Sequence, residues 1–374
     1  MRIRRVRPQP ARAPLVRTSP VPDRTRAFKR RGAASPGVYG LEFVGDEDRF
    51  AALEAGTAAV TGIERIAPGL AVADAVDPDR VRGLAYTRRA LDLLGRADAD
   101  PRSARSVVEA ASIDREGTVA VRARVLRDSA AVSTSEVERE CGSALVARGF
   151  DVDLDDPDHT LRVLFADDTC LVGWVVAESV RDFSTRRPTD RPFFQPGSMA
   201  PMDARAYANL AGAGPGTRIL DPMCGTGGVL IEGGLVGSDV VGNDAQTKMA
   251  RGARENLTHY LDGAGSPATP GGGSPGGFDV IRGDATALAL CDDAVDGVVF
   301  DAPYGRQSKI ARHSLDDLVG DALAEAARVA PRGVLVADRS WREAAVDAGW
   351  RVTDSFERRV HRSLVRHVHV LERT

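Results

Sequence analysis

Between residues 203 and 338 short apolar runs alternate with helical patterns at a regular interval, and this alternation limits the possible fold more than any other feature of the chain. Strands are predicted at 218–222, 239–244, 279–283, 297–301 and 334–338, with helices at 203–213, 245–260 and 315–329. Parallel strands need a crossover long enough to hold a helix, so the pattern predicts a parallel sheet with helices on both faces. The closing stretch "WRVTDSFERRVHRSLVRHVHVL" (350–371) reads as two strands around a turn near 361–363, an antiparallel hairpin added to that sheet.

Upstream the elements are shorter and mixed. "VYGLEFVG" (38–45) reads as an opening strand, and helices are expected at 50–59 and 81–94. "GTVAVRARV" (117–125) alternates as a strand does, and "STSEVERECGSALVARGF" (133–150) opens with a capping pair, Ser135 with Glu138, before an amphipathic helix. A turn and two further strands follow within 152–176, giving a small α+β module. The Pro- and Arg-rich segment "RDFSTRRPTDRPFFQPGSMAP" (181–201) is expected to be a linker, and "GAGSPATPGGGSPGG" (263–277) a flexible loop. The expected division is therefore an extension at 1–37, a first region at 38–182, a linker at 183–200 and an α/β domain at 201–374.

Charge is distributed unevenly. Residues 1–31 hold eleven Arg or Lys against one acid, Asp23, so a formal net charge of −3 conceals −13 over the remainder. An arm of that composition builds no core, and it reads as a disordered basic tail or as upstream DNA translated from a misassigned start. Only Lys29, Lys248 and Lys309 are lysines among 50 basic residues. An acidic body poor in lysine suits a salty cytoplasm, where net charge maintains solubility; GC-rich codon bias gives the same preference for arginine. No apolar run is long enough for a membrane helix, and the N-terminus lacks the apolar core of a secretory signal. Cys141, Cys170, Cys224 and Cys291 are widely spaced with no CxxC pair, which disfavours a zinc site or a disulfide framework and suggests a reduced, cytoplasmic protein.

"RILDPMCGTGGVLIEGG" (218–234) is a strand, a glycine-rich turn and a helix start. Gly225, Gly227 and Gly228 remove side chains where a ligand could touch main chain, and Asp221 stands at the strand's carboxyl end, beside the usual ligand crevice. Asp244, in "VVGNDA", ends the next strand, where an acid can accept both hydroxyls of a ribose. A nicotinamide cofactor asks for GxGxxG, and this register fails at Leu230. S-adenosylmethionine has no phosphate; it needs glycines for close approach and an acid facing its ammonium group, which Asp221 supplies. A turn with only a structural role is the competing interpretation. Asp284, in "RGDATAL" (282–288), could accept from an adenine amino group or simply cap the next helix.

"VVFDAPYGRQS" (298–308) leaves a buried strand at a carboxylate and turns sharply. The Asp301 carboxylate and the carbonyl of Ala302 could each accept one hydrogen of an exocyclic amine, drawing the nitrogen lone pair out of conjugation and freeing it to attack a methyl group. Pro303 stiffens the turn, and the Tyr304 ring could stack on an unstacked base. Such catalysis would come from orientation and electrostatics rather than from a strong base. The alternative is an ordinary strand-end aspartate with a core tyrosine. A cytosine-C5 methyltransferase would require a cysteine after proline, and the chain has no Pro-Cys. His367 and His369 share a strand face, but two ligands without a third make a poor metal site, so no metal is expected.

"DPMCGTGG" (221–228) followed by "DAPYG" (301–305) resembles the amino-methyltransferases that act on exocyclic amines, and a terminal hairpin beside a parallel sheet is similar to class I methyltransferases. "VDLDDPDHTLRVLF" (152–165), with the helix before it, resembles a THUMP domain, an RNA-binding module, and "RPFFQPGSM" (191–199) resembles the junction between THUMP and catalytic domains. From residue 38 onward the chain is similar to the archaeal tRNA guanine-10 N2-dimethyltransferases. The resemblance implies an α/β protein: a ferredoxin-like and THUMP region that holds tRNA, then a Rossmann-like domain using S-adenosylmethionine to methylate guanine N2 once or twice. It implies that Asp301, Ala302, Pro303 and Tyr304 engage the base. Asp221, Cys224, Gly225, Thr226, Gly227, Asp244 and Asp284 would line the cofactor site, flanked by Phe194 and Ser198. The family pattern is usually DPPY; here Ala302 replaces the first proline, where only a main-chain carbonyl is needed. Acidity fits RNA poorly, so Arg181, Arg186, Arg187 and Arg191 are expected to form a local basic patch on a chain acting as a monomer. Guanine-N2 methylation at another tRNA position, adenine-N6 methylation of DNA or rRNA, and an RNA-binding protein with an inactive methyltransferase fold are the other readings. "HRSLVRH" (361–367) has no role on these grounds.

Overall fold

The alternation after residue 203 forms a seven-stranded sheet. A computed structural model describes residues 38–262, 269–303 and 314–374, apart from 362 and 363. The strands are β1 (Arg218–Asp221), β2 (Asp239–Asp244), β3 (Phe278–Arg282), β4 (Gly297–Asp301), β5 (Arg332–Ala337), β6 (Trp350–His361) and β7 (Leu364–Arg373). They lie in the order β3-β2-β1-β4-β5-β7-β6. The first five are parallel, and β7 runs antiparallel between β5 and β6. Chain order reverses beside β1, with β2 on one side and β4 on the other, and such a switch point opens a crevice at the carboxyl ends of the strands.

The covering helices are α1 (Pro201–Leu210), α2 (Gly228–Leu235), α3 (Thr247–Leu257), α4 (Leu315–Val329) and α5 (Arg342–Asp347). Local chemistry fixes the ends of α4. Ser314 caps α4 by accepting from the Asp317 amide at 3.1 Å, Asp316 and Asp317 occupy its first turn and Arg328 its last, all favourable to the helix dipole. The predicted strands and α4 coincide with these elements to within two residues.

The first region forms an eight-stranded sheet of its own, from Tyr39–Phe43 to Thr169–Glu178. Two expectations for it need correction. Residues 81–94 do not form a helix: Thr87–Asp98 is a strand, paired antiparallel with Tyr39–Phe43 on one side and Thr169–Glu178 on the other. Two flanking ladders outweigh the modest helix propensity of a Leu- and Arg-rich segment. The helix expected at 133–150 spans Thr134–Val146, and its cap is Ser133, whose hydroxyl accepts from the Glu136 amide, rather than Ser135. A further helix, Pro101–Ala110, starts at Asp100, which accepts from the amides of Arg102 and Ser103, with proline at the first turn.

The two sheets share one apolar core, which runs from Leu41, Phe50 and Ala55 of the first region to Tyr207, Leu230 and Val299 of the second. Glu54, fully buried on helix Asp48–Ala58, joins them by hydrogen bonds: its carboxylate accepts from the amides of Ala85 and Tyr86 and from Asn209 Nδ2 on α1, each at 2.7 Å. The expected free linker is instead two short 3₁₀ turns, Phe183–Arg186 and Pro188–Asp190, pinned by buried arginines. The end of the glycine-rich insert is also fixed, because Gly276 donates to the Gly234 carbonyl and a Cβ there would lie 1.7 Å from the Ser238 oxygen. Among the described residues no helix is long and apolar enough to cross a membrane.

Candidate active site

β2, β1 and β4 are neighbours, and each ends in an aspartate: Asp244, Asp221 and Asp301. In register Asp221 pairs with Gly242 and Leu220 with Val298, so Asp244 and Asp301 extend beyond Asp221 at the switch point, near enough for their charges to act on it. Asp221 is 4% exposed and its Oδ1 accepts from the Met223 amide at 3.1 Å. Burial pushes its carboxyl well above the usual range, and the charges of Asp301 and Asp244 push it further. Burial likewise raises Asp244, although two amides oppose the shift: Gln246 donates to Oδ1 at 2.8 Å and Gly225 to Oδ2 at 3.0 Å.

The Gly225 bond ties the glycine loop to β2. Gly225 and Gly227 both have positive φ, at 51° and 77°, and Gly227 caps α2 from the left-handed region. A Cβ on Gly225 would project into open space, whereas one on Gly227 would meet Ala253 at 3.4 Å. Cys224 is buried and its thiol is raised well above its usual range by burial, so it packs rather than reacts. Thr226 faces the junction segment, its hydroxyl 3.1 Å from that of Ser198. Asp284 is exposed in the loop after β3, where its Oδ1 accepts from the amide and hydroxyl of Thr286, a turn-forming use of the side chain.

At the end of β4 the Asp301 side chain is 24% exposed, and Oδ2 lies 3.9 Å from Arg366 Nη2. Ala302 is buried, its amide donating to the Val336 carbonyl at 2.8 Å, which sets the direction of the turn toward Pro303. Tyr304 lies outside the described residues.

Phe194, expected beside the cofactor, is 40% exposed; its neighbour Phe193 is the ring packed inward, against Gly252 of α3. The basic patch is corrected more sharply. Arg186 is 1% exposed, with Nε donating to Glu232 at 2.7 Å and an ion pair to Asp182 at 2.8 Å. Arg191 is buried against the glycine loop, where a Cβ on Gly228 would come within 2.9 Å of its Nη1. Arg181 is half-buried and donates to the Ala85 carbonyl, so of the four only Arg187 is exposed. The arginines of an extended, Pro-rich segment look solvated in sequence; here Arg186 folds back onto a buried carboxylate of α2, while Arg181 and Arg191 donate to the main-chain carbonyls of Ala85 and Arg186.

Several residues that shape the site gave no sequence signal. Buried Asn243 donates to the carbonyls of Pro222 and Gly283, joining the loops after β1 and β3. Asn256 of α3 donates to the carbonyls of Phe193 and Thr226 and so joins the junction to the glycine loop. Asp203 and Arg366 meet beside Asp301. Polar residues buried at these distances become visible only through their partners.

The site can hold a cation-bearing nucleoside. Buried Asp221, held above its usual range, is a carboxylate that a positive ligand would ionise, and the space at Gly225 admits a ligand against main chain. Comparison with known proteins points the same way. A family described as RMKL-like, methyltransferase domain, matches residues 188–367, and the THUMP domain matches residues 101–175. A tRNA (guanine(10)-N2)-dimethyltransferase of Methanothermobacter thermautotrophicus is 37% identical over 78% of this chain and 83% of its own length. Proteins of that name from Methanocaldococcus jannaschii and Pyrococcus abyssi are 29% and 31% identical, over 70% and 69% of this chain and 72% and 74% of theirs.

Proposed function

The chain belongs to the tRNA (guanine(10)-N2)-dimethyltransferase family, and from that premise we propose that Asp301 and the main-chain carbonyl of Ala302 receive the N2 amine of guanine 10 in tRNA. The protein is an S-adenosylmethionine-dependent tRNA guanine-N2 methyltransferase. The observation that carries the reading of its site is the set of three strand-end aspartates around the glycine loop, at the switch point of the sheet.

S-adenosylmethionine, when bound, supplies an electrophilic methyl group on a sulfonium. Asp221 would hold the positive end of that ligand, Asp244 would accept from its ribose hydroxyls, and the main chain at Gly225 would leave it room. Asp284 contributes from the loop after β3, while Thr226 and Ser198 close the junction side of the pocket. Asp301 and the Ala302 carbonyl each accept one N–H of the guanine amine. Their pull localises the lone pair on nitrogen, the atom that must attack. Asp301 then accepts the proton that leaves the methylated nitrogen and passes it to solvent along its exposed edge. Pro303 holds the turn, and Tyr304 supplies a ring for the base. A secondary amine still offers one N–H, so one arm of the clamp can hold it for a second transfer, giving the dimethylated product. The chain is taken to act as a monomer without a metal ion.

The test is mass spectrometry of tRNA nucleosides after incubation with labelled donor, on transcripts altered at single guanines. Wild-type enzyme should label only transcripts that keep guanine 10. Asp301→Ala should lose transfer by at least about a hundredfold while binding S-adenosylmethionine normally. Substantial turnover in that variant would refute the clamp.

A further inference from the structure

Arg358 and Arg366 lie directly opposite one another in the β6–β7 hairpin. Directly opposed residues share one face of a sheet, and like charges there repel. Both are largely buried, at 13% and 5% side-chain exposure. Two buried cations at one register position need an acid between them, and Asp203 of α1 supplies it. Arg358 Nη1 donates to Asp203 Oδ1 at 3.1 Å, and Arg366 Nη1 stands 3.8 Å from Oδ2. Asp203 is held from a third side by the Tyr86 hydroxyl, which donates to Oδ1 at 2.6 Å.

Arg366 has a second arm. Its Nη2 faces Asp301 Oδ2 at 3.9 Å, an ion-pair distance rather than a hydrogen bond. Asp301 also lies near enough to Asp221 of β1, on the neighbouring strand, for its charge to act on that carboxyl. Among the described residues the charged and titratable groups near this pair include Asp221, Asp203, Arg358 and Tyr207, the last close to both arginines, with Tyr86 against Asp203 and Glu47 paired to Arg358 behind them.

We propose that Arg366 is a positioning residue for methyl transfer: it holds the Asp301 carboxylate charged and oriented at the end of β4, beside the like charge that Asp221 carries once a cationic ligand is bound. This inference rests on Asp301 being the amine clamp. It gives a role to the stretch "HRSLVRH", of which Arg366 is the sixth residue. A carboxylate on a strand end can rotate about two bonds. A guanidinium standing between Asp203 and Asp301 attracts that carboxylate and favours one orientation of it, so the clamp is charged and oriented before guanine arrives.

Arg366→Met, Arg366→Lys and Asp301→Ala separate the possibilities. In Arg366→Met, kcat at neutral pH should fall by about tenfold or more, with S-adenosylmethionine affinity unchanged and the acidic limb of the pH–rate profile moved to higher pH. Arg366→Lys retains the charge but not the two-armed geometry. Its acidic limb should stay in place while kcat still falls severalfold, and this variant keeps the question open to test if Arg366→Met does not fold. Wild-type kcat in either variant, or a loss that is uniform across pH and follows a lowered melting temperature, would overturn the proposal. An active Asp301→Ala would instead remove the clamp on which it rests. An inactive Asp301→Ala beside a wild-type-like Arg366→Met would refute the role of Arg366 alone.

Discussion

Tyr86, in the loop that enters strand Thr87–Asp98, donates its hydroxyl to Asp203 on α1 at 2.6 Å, so the first region reaches into the polar network behind the active site. Arg358 Nη2 donates to the same hydroxyl at 2.6 Å, and its guanidinium lies over the rings of Phe50 and Tyr86 at 4.2 and 4.6 Å. Tyr86→Phe leaves the ring in place and removes both hydrogen bonds of the hydroxyl, while Asp203 Oδ1 keeps its bond from Arg358 Nη1. Urea unfolding should show a loss of about 1–3 kcal/mol, with the tryptophan fluorescence of the folded state unchanged.

Arg186 and Arg187 are adjacent in sequence and opposite in environment. Arg186→Ala removes a partner from fully buried Glu232, and denaturant titration should register a loss of about 3 kcal/mol or more. Arg187→Ala should stay within about 0.5 kcal/mol of wild type. If Arg187 touches a phosphate, its loss would instead weaken tRNA binding and reduce the slope of log affinity against log salt by about one.

The raised carboxyl of Asp221 makes a pH prediction with a definite sign. Its native value lies above its unfolded one, so its contribution to stability is complete below the unfolded value and is lost as pH rises through the native value. Asp221→Asn does not titrate. Without cofactor, the melting temperature of Asp221→Asn should therefore exceed that of wild type by a margin that widens as pH rises. Wild type should bind S-adenosylmethionine more tightly over the same rise, with proton release in calorimetry, because a cationic ligand favours the carboxylate. Asp221→Asn should bind it weakly at every pH.

Gly225→Ala and Gly227→Ala share a backbone cost, about 1–2 kcal/mol each for holding alanine at positive φ. They differ in where the methyl group goes. On Gly227 it meets Ala253 within the fold; on Gly225 it enters open space at the end of β1. Calorimetry should find S-adenosylmethionine affinity reduced far more by Gly225→Ala than by Gly227→Ala, at comparable melting temperatures.

Helix α4 and the strands of the second sheet could be read from the chain because their signals are local. Strand periodicity, the Ser314 cap and the glycine loop each depend on residues a few positions apart. Thr87–Asp98 was illegible for the opposite reason: its state is set by partners at residues 39–43 and 169–178. Arg186 and Arg191 looked like a solvated patch because composition reports charge but not depth, and Glu232, which neutralises Arg186, lies 46 positions away.

The order of strands and loops, with an aspartate closing each of three strands, determined from sequence alone that this chain would carry a glycine loop and a carboxylate turn at one edge of a parallel sheet. Only the tertiary structure decided what stands behind that edge. Asp203, Arg358 and Arg366 come from a helix and a hairpin more than 150 residues apart, and they meet because burying a charge is favourable only where the fold brings an opposite one to it.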